Sequence, residues 1–275
     1  MTRIGLLRRT IDRLTRAAAE SPRSTAQWLL AEALDIPPLS LYLEPDRTIS
    51  PDCLPLVEAW TARCVEGEPL AYVLGSVEFA GQRFRVTPST LIPRPETELL
   101  LEAAAELLEA LPPGPVLDVG TGSGALAISL ARRATDRRVY ASDIDPSALA
   151  VAEENARGRP NLTFYRADLL TPAPEAAFAL IVANLPYIPT SELAELPRNV
   201  RYEPRKALDG GPDGLRLIRS LIAQATGRSR ALALEVGDGQ AEKVGQLFEH
   251  AGFFPSRSLK DLTGMTRIVL GESRG

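Results

Sequence analysis

From Pro115 to about Ala251, short apolar runs alternate with segments of helical periodicity, and this alternation limits the possible folds more than any other feature. Strands are expected at 115–119, 138–142, 161–166, 178–183 and 230–236, with helices at 124–133, 146–156, 213–225 and 239–251. Alternation of this kind implies an α/β fold, a mostly parallel sheet with helices on both faces. The tail from Ser256 to Leu270 carries Asp261-Leu262-Thr263-Gly264 as a turn and no helix, so a terminal antiparallel hairpin is expected.

The first seventy or so residues read as helical. Ile4, Leu7, Ile11 and Leu14 recur at helical spacing. Ser24 with Gln27 suggests a capping box before Trp28, and Pro37-Pro38 should stop that helix. Ser50-Pro51 can start another running to about Cys64. With no strand alternation here, residues 1–75 should form a small helical bundle. Val77 and Phe79, then Phe84 and Val86, flank Ala80-Gly81-Gln82, which places a linking β-hairpin at 76–90. The third part, 91–275, opens with Leu91-Ile92-Pro93-Arg94-Pro95-Glu96-Thr97-Glu98 and a helix to about Leu111.

Composition removes several classes of function. One histidine, His250, and two cysteines, Cys53 and Cys64, leave little material for a zinc site or a histidine-based triad, so no metal is expected. Both cysteines are expected as buried free thiols and His250 as a capping or surface residue at a helix end. A net charge of −4 argues against wrapping nucleic acid, although Arg3, Arg8, Arg9, Arg13, Arg16 and Arg23 could form a local basic patch. No apolar run approaches the length of a membrane span and no signal peptide fits the first residues, so no membrane partner is expected and the compartment should be the cytoplasm.

Asp118-Val119-Gly120-Thr121-Gly122-Ser123-Gly124 follows a strand and opens a helix. Glycine permits positive φ and close backbone approach, so a nucleotide-like ligand can lie on this turn. The Gly-x-Gly-x-Gly spacing alone also occurs in dinucleotide folds. Two carboxylates turn the reading toward S-adenosylmethionine. Asp118 stands where a pyrophosphate would gain little from it. Asp143 ends the next strand, where it can accept from both ribose hydroxyls; its alternative is a cap for the helix after Pro146, for which Asp145 is better placed. Asp168 after the third strand could meet the adenine edge with Leu169 beside it, or be an exposed turn residue.

At the end of the fourth strand stands Asn184-Leu185-Pro186-Tyr187, which resembles the Asn-Pro-Pro-Tyr motif of amino methyltransferases. Further segments resemble the bacterial-type release factor glutamine methyltransferases (PrmC, also called HemK). They are Gly67-Glu68-Pro69-Leu70-Ala71-Tyr72, the run from Glu78 through Glu98, Arg201-Tyr202-Glu203-Pro204, Gly211-Pro212-Asp213-Gly214-Leu215 and Lys260-Asp261-Leu262-Thr263-Gly264. The likeness spans about residues 65–270, whereas residues 1–64 match in helical character more than in motif. Leu185 stands where the family has proline.

The resemblance implies a class I S-adenosylmethionine-dependent methyltransferase, Rossmann-like with a seven-stranded, mostly parallel sheet. The expected cofactor contacts are Asp118, Gly120, Thr121, Gly122, Ser123, Gly124, Asp143, Asp168, Leu169 and Asn184. The expected reaction is methylation of the side-chain amide nitrogen of the glutamine in the Gly-Gly-Gln motif of peptide-chain release factors. An amide nitrogen is a poor nucleophile, because its lone pair is delocalised. Two acceptors aimed at its N–H groups, the Asn184 side-chain oxygen and the Leu185 carbonyl, could orient it and favour the charge that builds as the methyl arrives. Tyr187 would pack on the planar amide and Pro186 fix the turn. Arg94 and Glu96 either close over or brace the active site, or have a purely structural role between the domains. The N-terminal helical domain would recognise the release factor. Two rival readings are a nucleic-acid methyltransferase acting on an exocyclic amine of adenine or guanine, with Tyr187 stacking on an extruded base, and a translation-factor adaptor without cofactor. The acidic balance disfavours the first and the intact glycine turn the second.

Overall fold

A computed structural model describes residues 1–273, which separate into two compact units: 1–76 with 197–202, and 77–196 with 203 onward. In the first unit five helices, α1 (Arg3–Arg16), α2 (Pro22–Leu34), α3 (Ser40–Leu43), α4 (Leu54–Val65) and α5 (Leu70–Leu74), bury Leu6, Leu7, Leu14, Leu29, Leu30 and Val57 in one core. Thr2 caps α1, its hydroxyl accepting from Gly5 N at 3.2 Å. α2 departs from expectation. It begins at Pro22, one turn earlier than the Ser24–Gln27 pattern suggests, and no side chain caps it; proline in the first turn pre-sets the helical φ and lacks only an N–H that would be orphaned anyway. Both cysteines are free, Cys64 buried as expected but Cys53 only half-buried. His250 is exposed in the last turn of its helix, with Nδ1 2.6 Å from Gln246 O.

The second unit opens with a hairpin of β1 (Ser76–Phe79) and β2 (Gln82–Arg85). Ala80 and Gly81 both have positive φ, +48° and +69°, the backbone that a tight two-residue hairpin turn requires. Phe79 and Phe84 meet edge to face with centroids 6.1 Å apart and join the unit's core. Helix α6 (Pro95–Ala110) leads into β3 (Val116–Val119), α7 (Ala125–Arg133), β4 (Val139–Asp143), α8 (Pro146–Asn155), β5 (Leu162–Arg166) and β6 (Phe178–Ala183). A two-residue strand β7 (Ile188–Pro189) pairs with β8 (Asp209–Gly211), and then come α9 (Arg216–Ala225), β9 (Ser229–Glu235), α10 (Ala241–His250), β10 (Phe253–Lys260) and β11 (Thr266–Ser273).

Seven strands make one sheet in the order β10-β11-β9-β6-β3-β4-β5. The five inner and far strands run parallel, and β11 pairs antiparallel with both β9 and β10. Every residue of β3 and β6 is buried, as strands covered on both faces must be. From β3 the chain winds outward through β4 and β5, then returns to the other side of β3 as β6. This reversal sets the topological switch point between β3 and β6, and open α/β sheets hold ligands beyond the carboxyl ends of the strands there. The glycine turn follows β3 and Asn184 follows β6. The fold therefore puts the two sequence features side by side.

Candidate active site

The glycine turn is built by backbone conformation. Gly120, Gly122 and Gly124 have φ of +76°, +56° and +80°. Gly124 caps α7 where an added Cβ would come within 3.0 Å of Ala152 Cβ and Ile128 Cδ1, so only glycine lets the two helices approach. A Cβ on Gly122 would meet nothing within 4 Å, because that side of the turn is open. Asp118, 1% exposed, accepts from the Thr121 hydroxyl at 2.7 Å and so ties the turn to the end of β3. Burial pushes its carboxyl up to about 7.

Asp143 ends β4 beside this turn. Its Oδ2 accepts from Gly122 N at 3.0 Å and its Oδ1 from Asp145 N at 2.9 Å. Each oxygen keeps a further lone pair for a ligand hydroxyl. The cap of α8 is Asp145, which accepts from Ser147 N at 3.0 Å and pairs with Lys206. Asp168 is exposed beyond β5, bridged through its backbone to Thr171, and Leu169 is buried with φ of +53°. That left-handed backbone costs a non-glycine residue about 1 kcal/mol or more, and it turns the chain at the ligand side of the sheet.

These elements surround a cavity of about 620 Å³. Gly120, Gly122, Asp143, Asp168 and Leu169 line one part of it and Asn184, Leu185 and Pro186 another. A smaller cavity of about 50 Å³ shares Gly120, Gly122 and Asn184 with it and adds Asp118, Thr121, Ser123, Pro93 and Thr97. Gly124 and Tyr187 line neither. The fold thus gathers most of the expected residues at one cavity, while Tyr187 belongs to the packing around it. Leu185 is 4% exposed, with a methyl 3.1 Å from where a Cβ on Gly120 would stand. Here leucine's side chain joins the two motifs.

Around Asn184 the structure brings in Thr97, Glu235 and Gln240, to which the sequence assigned no role. Asn184 Nδ2 donates to Thr97 Oγ1 at 3.0 Å, and the Thr97 hydroxyl donates to Glu235 Oε2 at 2.7 Å. The Tyr187 hydroxyl reaches Glu235 Oε1 at 3.4 Å. Glu235 is 1% exposed, and burial pushes its carboxyl up to about 7; Glu96 adds to the rise, while Thr97, Tyr187 and Arg267 oppose it. Burial raises the Tyr187 phenol as well. Gln240 holds the motif's backbone, donating from Nε2 to Tyr187 O at 2.8 Å and accepting from Gly237 N at 2.9 Å. Gly214 passes so close that a Cβ there would overlap Tyr187 O at 2.2 Å. Arg94 pairs with Glu203, whose other oxygen accepts from Ile92 N at 2.9 Å. The Pro-Arg-Pro segment is thus braced on residue 203 of the same unit. Ile144, 53% exposed, lines the large cavity next to Asp143.

Sequence signals existed for some of these. Glu235 is a carboxylate at the end of Ala231-Leu232-Ala233-Leu234, where an apolar strand gives no reason for one. Ile144 is an apolar residue between two aspartates. Thr97 lies in the run from Glu78 to Glu98 that resembles the family, but nothing in that run sets it apart from its neighbours.

Known proteins agree with this architecture. Residues 116–202 match the family described as a methyltransferase domain. The ribosomal protein L11 methylase of Lactobacillus delbrueckii subsp. bulgaricus superposes with a TM-score of 0.51 at 21% identity, over 70% of this chain and 86% of that one, a likeness of fold alone. With the glycine turn at the switch point, these define an S-adenosylmethionine-dependent methyltransferase of the Rossmann-like class. The residues present fit that cofactor. The cavity lies within the roughly 300–1,000 Å³ of ordinary ligand sites, the turn is open at Gly122, and Asp143 has acceptor capacity left.

Residues 5–75 match the PrmC N-terminal domain. The release factor glutamine methyltransferase of Geobacter sulfurreducens is 40% identical over 263 residues, 94% of this chain and 92% of the relative. That of Moorella thermoacetica is 40% identical over 281 residues, 100% of this chain and 99% of the relative. The chain belongs to the release factor glutamine methyltransferase family.

Proposed function

We propose that the protein transfers the methyl group of S-adenosylmethionine to the side-chain amide nitrogen of the glutamine in the Gly-Gly-Gln motif of peptide-chain release factors, and so modulates translation termination. One observation carries the chemistry. The Asn184 amide is held through Nδ2, and among the described residues nothing donates to its Oδ1. At a cavity wall this is an acceptor prepared for an N–H.

In this reading Asp143 accepts from the ribose, Asp168 and Leu169 meet the base with Ile144 as an apolar wall, and the glycine turn admits the amino acid part. Asp118 acts by holding the turn through Thr121, with Ser123 and Gly124 completing it. When bound, the cofactor supplies an electrophilic methyl on a positively charged sulfur. Asn184 Oδ1 and the Leu185 carbonyl accept from the two N–H groups of the glutamine amide, aiming its nitrogen at that methyl. With the methyl supplied by the bound cofactor, the amide nitrogen would become acidic on alkylation and its extra proton would leave to water. Both acceptors face the positive charge that develops, so they stabilise the transition state more than the ground state. No strong base is needed. Pro186 stiffens the turn, and Tyr187 offers a wall for the planar amide.

The N-terminal helical unit is proposed to hold the body of the release factor. A release factor works on the ribosome, which puts the protein in the cytoplasm. Consistent with that, no helix among the described residues is long and apolar enough to cross a membrane.

The test is label transfer from methyl-labelled S-adenosylmethionine into purified release factor, into the same factor with its Gly-Gly-Gln glutamine changed to alanine, and into rRNA and DNA. Label in the intact factor alone is the expected result. Label in nucleic acid would overturn the substrate, and no label anywhere would overturn the reaction.

A further inference from the structure

Glu235 is difficult to explain as a structural residue. A buried carboxylate is costly unless it is paired, and among the described residues no cation forms an ion pair with it. The charged and titratable groups that face it are Glu96 on α6, Tyr187 after β6 and Arg267 on β11. Arg267 is committed elsewhere, donating to Asp261 at 2.8 Å. What Glu235 does hold is the Thr97 hydroxyl, at 2.7 Å, and through it Asn184.

While Glu235 is ionised, the direction of that relay is forced. An ionised carboxylate can only accept, so the single hydroxyl proton of Thr97 points to Glu235. The Thr97 oxygen can then offer Asn184 nothing but lone pairs. Only the NH2 end of the asparagine amide satisfies it, at 3.0 Å. A half-turn of the amide would set Oδ1 against those lone pairs and leave a buried acceptor unsatisfied. Asparagine's two ends are nearly isosteric, so shape alone does not choose between them.

We infer that Glu235 is a positioning residue for methyl transfer, acting through Thr97 to lock the Asn184 amide with Oδ1 toward the acceptor nitrogen. The inference rests on the glutamine reading only for the identity of that acceptor. A flipped Asn184 would present two donors to an amide that itself donates, and no productive complex could form. The lock removes that state and spares the site a reorganisation during the reaction. Protonated Glu235 could donate to Thr97 and release the constraint, so the turnover rate should fall on the acid side as this carboxyl, raised to about 7, takes up its proton.

The experiment uses the full chain with Glu235→Gln, Thr97→Val, Thr97→Ser and the Glu235→Gln/Thr97→Val double variant. Expected for Glu235→Gln and Thr97→Val is a fall in kcat of roughly 10–100-fold, with KM for release factor and Kd for S-adenosylmethionine within about 3-fold of wild type. Thr97→Ser keeps the hydroxyl and should stay within about 3-fold in kcat. The double variant should be no slower than the slower single one, because both cut the same relay. The acid limb of the wild-type kcat profile should lose the Glu235 component in Glu235→Gln and keep the part that Asp118, also raised to about 7, contributes. Glu235→Gln at wild-type kcat, additive losses in the double variant, or an unchanged acid limb would each overturn the relay.

A second readout does not depend on the acceptor. With 15N-labelled asparagine, the Asn184 side-chain NH2 resonance, identified by its loss in Asn184→Asp, should exchange slowly in wild type and shift in Thr97→Val and Glu235→Gln. Unmoved signals overturn the relay even if the release factor is methylated. Shifted signals uphold it even if wild type labels no release factor, which would then count against the glutamine reading alone.

Discussion

The two ends of the cavity are built by different means. At the cofactor end, shape comes from the backbone: three glycines with positive φ, and an Asp143 whose oxygens are both anchored by main-chain N–H groups. At the reacting end, the orientation of one amide comes from side chains of three distant elements, Asn184 after β6, Thr97 in α6 and Glu235 at the end of β9. The first arrangement is local and rigid, suited to a ligand that must sit in one place. The second directs a single hydrogen bond, and it depends on the ionisation of a buried carboxylate. Binding and turnover should therefore separate under mutation.

Asn184→Ala should show the largest effect, lowering kcat by about 10²–10³-fold while changing the Kd for S-adenosylmethionine by no more than about 3-fold. Steady-state kinetics beside calorimetry gives both numbers, and a loss mainly in cofactor affinity would erase the contrast between the two ends. Asp143→Ala should do the reverse. Loss of a charged acceptor for ribose hydroxyls is worth roughly 1.5–3 kcal/mol, or about 10–100-fold in Kd, with a smaller change in the rate at saturating cofactor.

A third measurement sharpens the electrostatic side. Glu235 is raised in the folded state from its ordinary 4.5 to about 7. Folding then takes up a proton between those values, so this group's contribution is fully present below about pH 4 and is lost as pH rises through 7. Glu235→Gln should match wild type in urea unfolding at pH 4 and exceed it at pH 8, by about 1–3 kcal/mol after the altered hydrogen bonds are counted. A variant that is both slower and more stable has given up stability-costing function. Equal destabilisation at both values would mean that Glu235 is there for the fold.

Smallest are two changes at the edges of the site. Lys206→Ala removes a half-exposed partner of Asp145, which keeps its cap on Ser147 N, so cofactor affinity should move by no more than about 3-fold. Leu185→Pro keeps the carbonyl and stiffens the turn but withdraws a buried side chain from Gly120. These effects oppose each other, and kcat should stay within about 3-fold of wild type. A much larger loss would show that the leucine side chain itself shapes the site.

Several features could be read along the chain because their causes are local. The strand at 178–183 and the helix at 146–156 announce themselves through apolar runs, a proline and a capping aspartate, and the structure places them within a residue of those limits. The start of α2 differs from its expected place because a serine three residues before glutamine satisfies a capping pattern, while Pro22 already begins the helix. Cys53 was expected inside a helix core, but it falls in the single tight turn of Pro51–Cys53, where its thiol reaches Ser50 O and stays half-buried. The Tyr187 hydroxyl reaches Glu235 at 3.4 Å, a contact that nothing in the Asn184–Tyr187 motif announces.

By itself the sequence determined the order of the elements and the strand ends on which the glycine turn, Asp143 and Asn184 stand, since hydrophobic period and turn chemistry act over a few residues. Only the tertiary structure decided which side chain would meet which across the sheet. Thr97 and Glu235 are 138 residues apart and touch because β9 lies beside β6 and α6 packs against both. No local pattern encodes a contact of that kind. It exists because folding brings one hydroxyl to one carboxylate out of water, where each must be satisfied by the other.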